Sequence, residues 1–198
     1  ITSNLSISGA GAITISGASA HRVLTVATGT VTLSGLTITA GSIFGISNGA
    51  GILNVGATLT VANSTISGNS AGGDGGGLYN TAGAVTVTNS TFSGNRAPLH
   101  GGGIFNQFGT LNITNSTFSG NAATLGGGIA SSNFGGTVSV ANSTFSGKTA
   151  AVGGGIYAQD ATRRTYARLH DIARAVLDAG FPAVADATFL LRADRERL

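Results

Sequence analysis

Residues Gly109 to Gly128 read GTLNITNSTFSGNAATLGGG, and the core of that stretch, Asn-Ser-Thr-Phe-Ser-Gly-Asn, fills Asn115 to Asn121. The same seven residues fill Asn89 to Asn95. Asn63 to Asn69 differs only by Ile66 in place of Phe, and Asn142 to Lys148 only by Lys for the closing Asn. The four copies start 26, 26 and 27 residues apart. A glycine triplet keeps step with them at Gly75, Gly101, Gly126 and Gly153. Self-similarity at such a period is the signature of a repeat architecture in which each unit buries its apolar side against the next.

Within one unit the apolar residues alternate. Leu111, Ile113 and Asn115 share one parity and therefore one face of a strand, whereas Ser116 and Phe118 have the opposite parity. The phase slip predicts a bend at Asn115, a residue type that tolerates the left-handed backbone a corner needs. Gly120-Asn121 predicts a second corner and the glycine triplet a third. One strand over Leu111 to Ile113, another over Ser116 to Phe118, and a third such as Gly103 to Phe105 then make one rung of about 26 residues. Before the repeat, Leu5 to Ile7, Ile13 to Ile15, Leu24 to Val26 and Val31 to Leu33 alternate apolar and polar, which reads as four short strands.

The fold class expected is all-β, a right-handed parallel β-helix over residues 1–159, since parallel crossovers are right-handed in nearly all cases. A leucine-rich repeat has a similar period, but glycine runs occupy the place of its helix. A β-sandwich does not explain a constant period. Stacking sets Ile38, Ile66, Phe92, Phe118 and Phe145 in one interior column. Val61, Val87, Ile113 and Val140 form a second, and Ile52, Leu78, Ile104, Ile129 and Ile156 a third. The corner residues Asn63, Asn89, Asn115 and Asn142 form a ladder expected to hydrogen-bond from rung to rung, and the closing Asn69, Asn95 and Asn121 recur in register beside it.

Composition bounds the function. The chain has 198 residues with 33 Gly but only 2 Pro, so the glycines do not mark Pro/Gly disorder, and 41 % hydrophobic residues suffice for a core. There is no Cys, hence no disulfide framework. No apolar run is long enough to span a membrane as a helix. The chain opens on Ile without a signal-peptide pattern, so a truncated or processed N-terminus is expected. Up to residue 159 the only charged side chains are Arg22, Arg96, Lys148 and Asp74. Residues 160–198 hold seven Arg, five Asp and one Glu but a single Gly, so the high pI comes from a mixed-charge tail and not from a basic face that would track phosphates. Nucleic acid is therefore not an expected partner.

Glycoside hydrolysis needs two carboxylates flanking the bond, and lyase chemistry needs carboxylates for calcium plus a base. With Asp74 alone in residues 1–159, neither mechanism is supplied, and Asp74 is a weak catalytic candidate. Gly72-Gly73-Asp74-Gly75-Gly76 is similar to a calcium-binding repeat loop, but Leu99-His100 and Thr124-Leu125 carry no Asp in the corresponding loops. His21 and His100 lack a third ligand type and read as exposed loop histidines, so no metal or other cofactor is expected. Asn63-Ser64-Thr65 and its copies match a glycosylation sequon, yet a corner that recurs with the rung accounts for them. No Lys-Ser/Thr follows any glycine triplet, so these are not phosphate loops.

Gly-Gly-Gly-Ile at Gly101 and Gly126, in register with Phe-x-x-Asn at Phe92 and Phe118, resembles the polymorphic outer-membrane-protein type repeat of bacterial surface and secreted β-helix proteins. The resemblance covers about residues 34–159. It departs at Ile66 and Lys148, and the family usually has Gly-Gly-Ala for the triplet. It implies an extracellular or outer-membrane location and an adhesin-like, non-catalytic role toward a glycan or protein ligand. A carbohydrate-binding or carbohydrate-cleaving protein is the alternative.

In residues 160–198, Tyr166, Leu169, Ile172, Val176 and Leu177 recur at helical spacing, Gly180 reads as a C-cap and Ala183 to Ala185 as a short strand. A helix-strand-helix tail is expected. Tyr166-x-x-Leu169 followed by Val184-x-Asp186-Ala-Thr-Phe resembles a piece of P-loop small-molecule kinases. By that resemblance Asp186 would sit near the phosphates and offer ATP-dependent phosphoryl transfer, but the Walker A loop is absent. The other expectations for the tail are a cover for the open solenoid end, which would otherwise promote self-association, or a sequence joined from elsewhere.

Overall fold

The computed structural model describes residues 1–132 and 136–158. The expected helix-strand-helix tail, Asp186 and the cover over the last rung lie outside the described residues. Residues Ile1–Tyr157 form one compact unit.

That unit is a parallel β-solenoid of about six turns. In one rung the first face is Thr110–Thr114, the second Thr117–Ser119 and the third Ile129–Ser131. Each pairs in parallel with its counterparts one turn away. Leu111 lies between Val85 and Val138, Phe118 between Phe92 and Phe145, and Ile104 between Leu78 and Ile129. The three interior columns run as expected except at Ile156, which is exposed at the end of the third, and they extend toward the N-terminus through Ile15, Leu33 and Leu24. A fourth column, Val31, Leu59, Val85, Leu111 and Val138, completes the core. The phenyl rings of Phe92, Phe118 and Phe145 stack with centroids 5.1 and 4.8 Å apart and planes 9° from parallel.

Two expectations need correction. Residues 1–33 do not form four short strands: Leu24–Val26 is one, but Leu5–Ser16 is continuous and the last is part of Thr30–Thr39. The register shift between Ser8 and Ile13 takes up extra residues opposite Gly35, which turns the corner at φ 63°, so pairing persists on both sides of the bend. The corner itself also differs from a simple parity argument. Asn63, Asn89, Asn115 and Asn142 have φ of 48–51°, and the left-handed residue swings its own side chain outward, so Asn115 is exposed although Leu111 and Ile113 are buried.

Each residue of Asn-Ser-Thr then has a role. Asn takes the left-handed corner. The following Ser turns inward: the Ser90 hydroxyl accepts the Ser64 backbone N–H at 3.2 Å and donates to the Thr88 carbonyl at 2.9 Å. Ser116 and Ser143 repeat this contact one turn further on. Thr resumes the strand with its side chain outward. These corner serines satisfy backbone groups that the bend removes from the ladder.

A left-handed backbone costs an ordinary side chain about 1–2 kcal/mol. Asn115→Val is therefore expected to lower stability by about that amount, and more for the β-branch, whereas Asn115→Gly should be close to neutral. Paired thermal melts check this. Equal stability of the two variants would contradict the corner assignment.

The glycine triplets have a different cause. Their first members take φ of 61–63°. At the second, a Cβ on Gly102 would stand 2.5 Å from the Ala122 carbonyl oxygen of the adjacent rung. Backbone meets backbone there, and only glycine fits.

Candidate functional site

The closing asparagines carry the buried amide ladder. Asn95 Oδ1 accepts from the backbone N–H and the side-chain amide of Asn69 at 3.1 and 3.0 Å. Its Nδ2 donates to Asn121 Oδ1 at 3.0 Å and to the Ile66 carbonyl at 2.9 Å. All three asparagines are fully buried. By contrast, the corner asparagines expected to form such a ladder share one exposed contact, Asn89 to Asn63 at 3.4 Å. They turn the chain, and their side chains are exposed to solvent. At the last rung Lys148 replaces the closing Asn, and its ammonium lies 5.7 Å from the Phe145 ring centre.

A second buried ladder went unread in the sequence. Asn54 donates to Asn80 at 2.8 Å and Asn80 to Asn106 at 2.7 Å, on the third face. The same nitrogens hold the Ala57 and Gly83 carbonyls at the next turn. The signal was present: Ile52-Leu-Asn, Leu78-Tyr-Asn and Ile104-Phe-Asn recur every 26 residues.

The titratable groups gather beside that face. Asp74 continues a loop ladder begun by Asn48, whose Oδ1 accepts the Asp74 backbone N–H at 2.8 Å. Asp74 Oδ1 in turn accepts the His100 backbone N–H at 3.0 Å and pairs with His100 Nδ1 at 2.8 Å. His100, expected as an exposed loop histidine, is partly exposed and paired with Asp74. Its ring rests on Phe105, centroids 5.3 Å apart, and Phe105 on Tyr79 at 5.5 Å. His21 is exposed. The Tyr79 hydroxyl donates to Gln107 Oε1. Burial, with Asp74 adding to it, pushes the phenol above its ordinary value, and a side-chain hydrogen bond with Asn48 pulls the other way. Arg22 donates to the Gly49 and Asn48 carbonyls at 2.9 and 3.0 Å, and burial lowers its guanidinium below the ordinary value.

An Asp–His pair can orient an imidazole as a general base, but glycosidic cleavage asks for a second carboxylate, and Asp74 is the only one among the described residues. Asp74 already acts as a loop cap through its contact with the His100 N–H. Among the described residues no three His, Cys, Asp or Glu side chains gather as metal ligands. No helix among them is long and apolar enough to cross a membrane.

The outward positions of the second face form two columns in register. Thr14, Thr37, Thr65, Thr91, Thr117 and Thr144 make one. Thr39, Ser67, Ser93, Ser119 and Ser146 make the other.

Stacked parallel rungs, interior aliphatic and phenyl columns and buried asparagine ladders define a β-solenoid with a single tethered carboxylate. The family model for the right-handed β-helix region matches residues 2–169, and the chain belongs to that family. No curated protein and no solved structure matches it.

Proposed function

We propose that this chain is a non-catalytic β-helix module, secreted or displayed at a cell surface, that offers its faces to an extracellular glycan or protein. The observation that carries this reading is the state of Asp74. The one carboxylate among the described residues is committed to the His100 backbone and ring. The likeness of the repeat to the polymorphic outer-membrane-protein type supports the location, and the adhesin-like role follows from the same likeness.

Incubation with polyuronides and neutral glycans, with and without calcium, is expected to release no reducing ends or unsaturated products. Cleavage that disappears in Asp74→Asn would make the Asp74–His100 pair catalytic and overturn the proposal, and cleavage that survives would place a catalytic group elsewhere. For the location, antibody against residues 1–158 should label intact source cells or their medium. Labelling only after lysis would end the surface reading.

A further inference from the structure

The threonine and serine columns of the second face are not needed by the core. They point away from Ile66, Phe92 and Phe118, which fill the interior. Thr117 and Thr144 are exposed and Thr65 and Thr91 half-buried. From Thr37 to Ser146 none of these hydroxyls has an intramolecular partner among the described residues, whereas Ser16, at the N-terminal end, accepts the Ala18 N–H at 3.1 Å. The segments that carry them read Thr-Ile-Thr, Thr-Ile-Ser or Thr-Phe-Ser, without a charged residue.

The geometry is set by the sheet. Equivalent hydroxyls recur at about 4.8 Å from rung to rung, and the two columns stand about 6.6 Å apart along each strand. A tetrahedrally bonded water with O···O distances of about 2.8 Å holds two of its neighbours about 4.5 Å apart. One water can therefore bridge equivalent hydroxyls on successive rungs with little distortion, and a file of such waters repeats at nearly the spacing of oxygens in ice. Buried amide ladders and stacked rings on the inner side hold the rungs in register, so the spacing does not fluctuate independently from rung to rung.

Other partners fit this face less well. A protein interface relies on buried aromatic or arginine anchors, and a ligand pocket is concave and lined by apolar rings; the phenyl groups of these strands all point inward. A polyanion needs cations, which the face lacks. We propose that the second face binds ice: its hydroxyl columns order a layer of water that joins an ice surface, and the solenoid adsorbs along its length.

The test is growth of ice grains in a frozen sucrose film containing the full chain. Grain growth is expected to slow relative to an equal concentration of an inert globular protein. Thr91→Lys/Thr117→Lys places charges in the middle of the array and should raise the concentration needed by at least about tenfold, the loss of roughly 1.4 kcal/mol of adsorption. Thr86→Lys, outward on the first face, should leave the effect unchanged. Circular dichroism verifies that each variant keeps its β signal. Should the lysine pair misfold, Thr91→Ala/Thr117→Ala removes the hydroxyls with less disturbance and should also weaken inhibition. Absence of inhibition by the native chain overturns the proposal, as does full activity in a folded double variant. Binding to microcrystalline cellulose that vanishes in the double variants, without an effect on ice, would assign the face to a neutral polymer instead.

Discussion

Phe118→Asp is expected to abolish the cooperative melting of the central rungs. Phe118 is fully buried between Phe92 and Phe145, and both neighbours stack on it. Truncating such a phenyl already costs about 3–5 kcal/mol through lost transfer energy and the cavity left behind. An aspartate adds a buried carboxylate, and Lys148, the cation placed beside that column, lies over the Phe145 ring one rung away. The carboxylate must either ionise at a further cost of several kcal/mol or bind a proton. Because each rung contacts only its neighbours, the damage should spread to the rungs on either side and leave a partly melted solenoid. Thermal melts followed by far-UV circular dichroism check this. Thr117→Asp, one residue away but outward, should change stability by less than about 0.5 kcal/mol. If Phe118→Asp melts like Thr117→Asp, the interior column is wrong.

The second large effect is expected from Asn95→Ala. The substitution removes the acceptor of the Asn69 backbone N–H and side-chain amide and the donor to the Ile66 carbonyl, all within the buried interior. A buried polar group left without a partner costs about 1–3 kcal/mol. The Asn69 backbone N–H is left without its acceptor while the Asn69 side-chain amide keeps the Ile38 carbonyl at 3.2 Å, so the loss should be about 1–3 kcal/mol, more than for loss of the exposed Asn89 amide. Hydrogen exchange gives a local readout. The Asn69 N–H should exchange faster, while the Asn95 N–H, still bonded to Asn121 Oδ1 at 3.1 Å, should be less affected. Equal protection at both sites would show that the amide ladder does not hold the rungs together.

These two sites also mark how far the sequence could be read. The 26-residue period, the alternation of apolar residues and the recurrence of Asn-Ser-Thr-Phe determined by themselves that the chain is a parallel β-helix and which residues line three of its columns. In a solenoid, residues one period apart become neighbours, so one-dimensional spacing is close to three-dimensional contact. The count of a single carboxylate up to residue 159 likewise needed no coordinates.

What only the tertiary structure decided is where each polar side chain turns. Asn115 shares parity with Leu111 yet faces solvent, because a positive φ reverses the alternation at the residue that adopts it. Ser116 shares the parity of Phe118 and is buried with it, but its task came only from the structure: a corner leaves backbone groups that an inward hydroxyl can satisfy. The Asn54–Asn80–Asn106 ladder was open to the same periodic reading but carried no mark of burial, since asparagine is more often exposed. Asp74 and His100 stand one 26-residue period apart, so periodicity made them neighbours. What it did not report is that these two unlike side chains would pair, because the repeat fixes which positions stack while the chemistry of a non-repeating side chain is decided by its local packing.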